Sequence, residues 1–496
     1  MIFKDDGVYR IHRLRVIHIY EADFNLLLAV KWRQLLHSAD EAGIVNEGQF
    51  GGRPGCEAQS LTLLEELKND LAYLTRRTLF NFDNDASSCY DRIIVSLASL
   101  INRKYGLHRR VVLVHATTLE KARYRLRTAI GVSDTEYSHH IQFPIYGTGQ
   151  GSGNSPCVWL FISATLFDVH AQASHGATFT SPDGRDTVRI TMVGFVDDST
   201  GSCNDFQPQT QASLHELSLR MQTDAQTWND LLFCSGGKLE LPKCSFHVLH
   251  FDFKPNGTPI ASIDPLQDRI TIRDASSGTL IPIQAKSPFE PHKTLGHFKA
   301  PAGNQQTQLQ AITKNAKRIS ILISTSPVNR YGAFLAYHTV YVPSVKYPLP
   351  QSFFSKQRLD KAQASTMGPI LAKCGYGRTT PRALIYAPTE LAGGGFITWF
   401  VLQGEGQVTN FLKHWRTKFL ISRTFKVTLA WAQFQAGIST PLLVNTTTPL
   451  PHLECRWLRS LRDFLAWSNS SIQVDPPCIP TLGSGTSTSW MPPSGP

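Results

Sequence analysis

Apolar positions recur at helical spacing from Phe24 to Leu36 and again from Ala58 to Leu74, and each stretch predicts a helix. At Leu79-Phe80-Asn81-Phe82 the pattern changes to that of a strand, which ends in an acid at Asp85. Ile93, Ile94, Leu97 and Leu100 then return to a helix, and Val158 to Val169 is a helix-like apolar run. Ile190, Met192, Val193 and Phe195 lead into Asp197-Asp198, which reads as a strand–turn–strand hairpin with acids at its tip. Gln308, Leu309, Ile312, Ala316, Ile319 and Leu322 predict a helix over residues 305–324. A further helical portion covers 395–470, where Trp457, Leu458, Leu461, Phe464 and Leu465 make one stripe, read as core. Residues 479–496 are rich in Pro, Gly, Ser and Thr and lack charge, the composition of a disordered tail.

Charge adds a partner class to this picture. A formal net charge of +11 suits a polyanion. Arg123, Arg125 and Arg127 alternate with Tyr124 and Leu126, which puts three guanidinium groups on one strand face. Lys413, Arg416, Lys418, Arg423 and Lys426 mingle with Phe411, Trp415, Phe419 and Phe425. Either group suits a phosphate backbone, and either suits a plain solvated face. The nine cysteines include no C-x-x-C pair and read as reduced, mostly buried thiols of an intracellular protein, nuclear or cytoplasmic. Cys244-x-x-His247-x-x-His250 lacks the second half that a zinc site of this kind needs, and a strand alternating its faces accounts for it better. No signal peptide is legible, and no apolar stretch has the length of a membrane span.

The candidate chemistry rests on Asp197 and Asp198. Adjacent carboxylates repel, and a fold that holds them near a third acid, Asp85, calls for divalent cations. Three more segments accompany them in order: Asp85-Ala86-Ser87-Ser88-Cys89-Tyr90-Asp91, Gly149-Gln150-Gly151-Ser152-Gly153-Asn154-Ser155-Pro156, and Gly236-Gly237-Lys238 through Lys243. The ordered set resembles the reverse transcriptases, most closely those of non-LTR (LINE-like) retrotransposons. Gln49-Phe50-Gly51-Gly52-Arg53-Pro54-Gly55-Cys56 resembles their fingers segment, with Gly52 and Cys56 departing from its usual Phe and Arg. Lys293-Thr294-Leu295-Gly296-His297 is similar to their primer-grip hairpin. The resemblance covers roughly residues 10–300 and is loose beyond.

The resemblance implies an α+β right-hand polymerase. Residues 1–75 would be fingers, 76–260 a palm with an antiparallel sheet and inserted fingers strands, 261–380 the primer-grip hairpin and helical thumb, and 381–478 a helical C-terminal region. It implies RNA-templated addition of dNTPs to a DNA or RNA primer, with two Mg2+ ions (or Mn2+) held by Asp85, Asp197 and Asp198. Lys243 would protonate the leaving pyrophosphate, and Arg53 would face the triphosphate. Gln150 and Gly151 would contact template and nucleotide, the loop's bare backbone allowing close approach. The Tyr90 ring would exclude a 2′-hydroxyl. Tyr90, with Val196 where RNA-dependent RNA polymerases usually carry Gly, favours DNA synthesis over RNA synthesis. Asp83 competes with Asp85 from the same strand face, but only Asp85 stands six residues before Asp91. No endonuclease or RNase H segment is legible, which suits a truncated element, and the start at the fingers fits a piece of a longer polyprotein. A catalytically decayed, nucleic-acid-binding remnant is the rival reading.

Overall fold

The computed structural model describes residues 2–3, 14–15, 17–86, 89–128, 131–139, 146–205, 212–263 and 269–475. The tail at 479–496, Cys478, and Ser87 and Ser88 of the first acidic segment lie outside the described residues. Five strands form the central sheet: β1 (Leu79–Asp85), β2 (Met192–Phe195), β3 (Asp198–Asn204), β4 (Ser245–Leu249) and β5 (Gln284–Lys286). Their order is β5-β4-β1-β3-β2. Four of them pair antiparallel, as expected of the sheet, but β5 joins β4 in parallel, so the sheet is mixed. Between β4 and β5 the chain crosses over through two short hairpins and returns in the same direction. A separate hairpin follows, β6 (His292–Thr294) with β7 (His297–Lys299), at the segment read as the primer-grip hairpin.

The helices used below are α1 (Ala22–Glu41), α2 (Ala58–Thr75), α3 (Ser155–Ala173), α4 (Leu214–Cys234), α5 (Gln306–Thr325), α6 (Lys356–Lys373), α7 (Trp399–Trp415), α8 (Leu420–Ala436) and α9 (Arg456–Trp467). Alternation along β1 divides the sheet's two sides. Phe80 and Phe82 pack with Phe246, Val248 and Cys203 against Phe161 of α3 and Trp228 of α4. The other side carries Asn81, Asp83 and Asp85, which pair across strands with Ser202, Thr200 and Asp198. That side faces α2 and is polar yet mostly covered.

Helix α2 departs from the pattern that predicted it. A run of its residues from Ser60 to Ala72 is buried, including Glu65, Glu66, Lys68 and Asp70. Its leucines share one core with Phe425, Trp457, Leu458 and Leu461 of α8 and α9. Three of these charges are paired: Lys68 donates to Glu65 and to Ser202 at 2.6 Å, and Arg456 donates to Asp70 at 2.7 Å, while burial pushes the Glu66 carboxyl up to about 7. Residues expected in separate fingers and C-terminal portions therefore share one core. The stripe on α9 belongs to that core, apart from Phe464, which packs with α5, α6, Tyr337, Tyr341 and Trp399 in a third cluster. Cys157, Cys203, Cys244 and Cys455 are buried free thiols, and Cys234 is exposed. Among the described residues no helix is long and apolar enough to cross a membrane.

Candidate active site

Antiparallel register brings the acids together. Asp85, the last residue of β1, stands opposite Asp198, the first of β3. The β2–β3 turn holds two residues, Val196 and Asp197, between the paired Phe195 and Asp198. Val196 adopts φ +61°, the left-handed region that such turns normally give to glycine at their first central position. A β-branched residue there is strained and needs support from its surroundings. The Trp159 indole donates to the Val196 carbonyl, and the Ala86 N–H donates to the Asp197 carbonyl at 3.4 Å. Gly51 lies so close that a Cβ would stand 2.4 Å from the Val196 nitrogen. The Gly48–Gly51 segment runs beside β2, Phe50 N–H donating to the Gly194 carbonyl and Gly194 N–H to the Gly48 carbonyl.

Asp197 is exposed at the tip, and Asp198 is half-buried. Burial, then the charges of Asp197 and Asp85, push the Asp198 carboxyl up to about 6. Lys243 reaches the same place because β4 neighbours β1: Ser245 is level with Asp83, so the turn ahead of β4 lies beside Asp85. Its ammonium stands 2.8 Å from Asp85 Oδ2. The backbone around it is tied down as well, Glu240 N–H donating to the Asp85 carbonyl at 2.9 Å.

Asp83, the competing acid, points to the same side of the sheet but into a different environment. Thr200 donates to its Oδ1 at 2.8 Å, with the Lys299 ammonium 3.6 Å away, while His247 and His292 flank its Oδ2. The Lys299 ammonium and the imidazoles facing it hold its carboxyl well below the usual range despite burial. Asp85, Asp197, Asp198 and Lys243 thus form one group, and Asp83 belongs to a buried layer behind it.

The Gly147–Gly153 loop joins this region through Tyr90. Thr148 N–H donates to the Tyr90 carbonyl at 3.0 Å, and the half-buried Tyr90 ring lies 6.5 Å from the Trp159 ring. Gln150 forms the turn, its carbonyl accepting from His18 N–H at 2.7 Å. The glycines answer to the protein's own backbone. A Cβ on Gly147 would meet the Tyr90 carbonyl at 2.7 Å, and one on Gly151 would meet the His18 carbonyl at 2.5 Å. Close packing against these two segments accounts for these glycines within the protein itself.

Arg53, expected beside a triphosphate, is instead buried. Its guanidinium pairs with Asp40, donates to the Asn46 carbonyl at 3.2 Å and lies 4.5 Å over the Phe419 ring. It ties the Gln49–Gly55 segment to α1 and α8. In the basic stretch of α7 and α8, Lys413 pairs with Glu57 and Arg423 with Glu47 at partly exposed positions, Arg416 and Lys418 are exposed, and Phe411 and Phe425 are core. Arg123 and Arg125 lie on an exposed two-stranded ribbon, where both face Glu136. The residues that sequence reasoning missed are those behind the acids, Glu65, Lys68, His292 and Lys299, together with His247, which the sequence offered only beside Cys244 and His250. They come from three distant segments, α2, β4 and the β6–β7 hairpin, and no spacing in the chain links the three.

No family model and no curated protein matches the chain. Among solved structures it is similar to apo telomerase from Candida tropicalis, with 12% identity and a TM-score of 0.32 over 80% of this chain and 59% of that one. Two further similarities are to telomerase in complex with a TWJ fragment of telomeric RNA. The Candida tropicalis structure gives 11% identity and TM-score 0.28 over 73% and 51%, and the Candida albicans structure 11% and 0.26 over 82% and 56%. The chain thus spans less than two thirds of the length of each of these. Likeness at these TM-scores carries no correspondence between individual residues.

Proposed function

We propose that the protein is an RNA-directed DNA polymerase of retrotransposon origin, built as a right-hand polymerase whose palm is the five-stranded sheet. The observation that carries this reading is the register of Asp85 with Asp198 at the β2–β3 tip, with Asp197 beside them and Lys243 in reach. Three oxygen-bearing acids, one of them with its carboxyl pushed up by burial and by the charge of the other two, suit hard divalent cations. Asp85, Asp197 and Asp198 would hold two Mg2+ ions, or Mn2+ in their place, which when bound activate a primer hydroxyl and offset charge on a triphosphate. The chain's own residues do the rest. The strained turn holds Asp197 outward, where primer and nucleotide approach. Lys243, exposed on one side, is able to turn from Asp85 and give its proton to the departing pyrophosphate. Tyr90, fixed through Thr148 and Trp159, offers a ring edge against a 2′-hydroxyl, and Gln150 with Gly151 lines the approach to it. Arg53, buried and paired with Asp40, holds the segment that runs beside the tip.

The Lys243–Asp85 ion pair also favours a second reading, a nucleic-acid-binding remnant in which the ammonium has taken the cation's place for good. Primer extension on an RNA template with dNTPs and Mg2+ separates the two. Extension by the wild type and its loss in Asp197→Ala is expected. A folded wild type that extends no primer, with Mn2+ tried as well, supports the remnant.

A further inference from the structure

Two residues along β1 from Asp85, the polar side of the sheet carries a second set of donor atoms. Asp83 and His247 occupy diagonal positions on neighbouring strands, and His292 of β6 closes over them. His247 Nδ1 stands 3.2 Å and His292 Nε2 3.0 Å from Asp83 Oδ2, and the three atoms lie within 4.8 Å of one another. His247 is fully buried and the His292 side chain keeps only 9% of its surface exposed. Yet none of the four ring nitrogens, nor Asp83 Oδ2, makes a hydrogen bond of acceptable geometry. Buried imidazoles are rarely left in that condition. The three atoms thus stand at contact distance with no hydrogen bond among them.

We propose that Asp83, His247 and His292 bind one divalent transition-metal ion of the Zn2+ class, fastening the β6–β7 hairpin to the sheet. Two imidazole nitrogens and a carboxylate oxygen are donors of that borderline class, whereas the acids at the tip are all hard oxygen. Bonds of about 2.0–2.2 Å in a tetrahedral site set ligand atoms roughly 3.3–3.6 Å apart, so the 3.2 and 3.0 Å spacings around Asp83 Oδ2 would open by a few tenths of an ångström on binding. The rings lie 4.4 Å apart and 27° from parallel, both presenting a nitrogen on the Asp83 side. Lys299, the nearest cation, leaves Oδ2 open: it approaches Oδ1 and is shared with Glu65 at 3.3 Å. The site is independent of the polymerase reading.

The test uses the full chain, loaded with Zn2+, dialysed against excess Mg2+ and assayed for metal by mass spectrometry. Wild type and Asp197→Ala are expected to keep one Zn2+ per chain. His292→Phe, which preserves a stacked ring, is expected to lose it, with affinity falling by at least about 100-fold, beyond the cost of losing an outer-shell partner. A chelator should lower the melting temperature of the wild type and leave that of His292→Phe unchanged. The Co2+ form should show d–d bands without a thiolate charge-transfer band, which separates this site from one made by cysteines. Wild type that keeps no Zn2+, or His292→Phe that keeps as much, overturns the proposal. Should His292→Phe fail to fold, a wild-type melting temperature indifferent to chelator, or a thiolate band in the Co2+ form, overturns it without the variant.

Discussion

Val196 concentrates the cost of the candidate active site in one residue. A β-branched side chain at φ +61° is strained by about 1–3 kcal/mol, and the turn persists because Trp159, Gly51 and the Phe195–Asp198 pair fix both of its ends. Val196→Gly is expected to raise stability by up to about 1 kcal/mol in thermal denaturation, the relief being partly offset by glycine's larger unfolded-state entropy. The same change should loosen Asp197 and lower any extension rate. At Asp198 the sign of the pH effect follows from its carboxyl lying at about 6 in the folded protein against an ordinary 3.8. The folded state binds that proton more tightly, so stability falls as pH rises from about 4 to about 6 and the penalty is complete above. Denaturant midpoints measured across that window should show the fall, and Asp198→Asn should remove it. Mg2+ should stabilise the wild type at pH 7 and have little effect at pH 4.5, where the carboxyl is protonated.

Helices and strands were legible wherever their periodicity was local. The patterns over Ala58–Leu74 and residues 305–324 coincide with α2 and α5 almost residue for residue, and the acidic hairpin is where its apolar lead-in put it. The exposure of α2 was not legible, because charges on one face read as a solvated face whether or not another layer covers them. The same applies to β1, whose Asn81 and Asp83 alternate with Phe80 and Phe82 like a half-exposed strand, yet α2 and the β6–β7 hairpin close over them. Elements also constrain one another through close approach. Gly51→Ala would drive a Cβ to 2.4 Å from the Val196 nitrogen, and backbone must shift to admit it. We expect about 1–3 kcal/mol of destabilisation, with Asp197 displaced and extension reduced more than the stability loss explains. An unchanged rate in the folded variant would show that the Gln49–Gly51 segment does not position the tip.

Across the whole molecule, Asp70 links the ends of the chain. It is 1% exposed and accepts from Arg456 Nε at 2.7 Å and from the Trp457 N–H at 2.9 Å, so it also caps α9. The Arg456 guanidinium lies 4.7 Å over the Tyr73 ring as well. Arg456→Met leaves a buried carboxylate without its partner and is expected to cost about 3–5 kcal/mol in chemical denaturation. Asp70→Asn combined with Arg456→Met should recover much of that loss. If the double variant is no better than the single one, the ion pair is not what joins α9 to α2. Because α2, α8 and α9 share one core, deleting residues 395–475 is expected to unfold the sheet's polar side rather than release a separable domain.

Periodicity and motif order carried most of the element types and the choice of Asp85, Asp197 and Asp198, since both are properties of neighbours along the chain. The preference for Asp85 over Asp83 was also available there, through the distance to Asp91. Strand pairing, the parallel edge strand, the burial of Arg53, the backbone strain at Val196 and the Asp83–His247–His292 cluster were not. Each depends on which distant segments meet: an arginine looks the same whether it faces a phosphate or an aspartate, and a histidine's partners are set by the layer that closes over it. Register converts local pattern into a site, and register is chosen by the packing of the whole molecule.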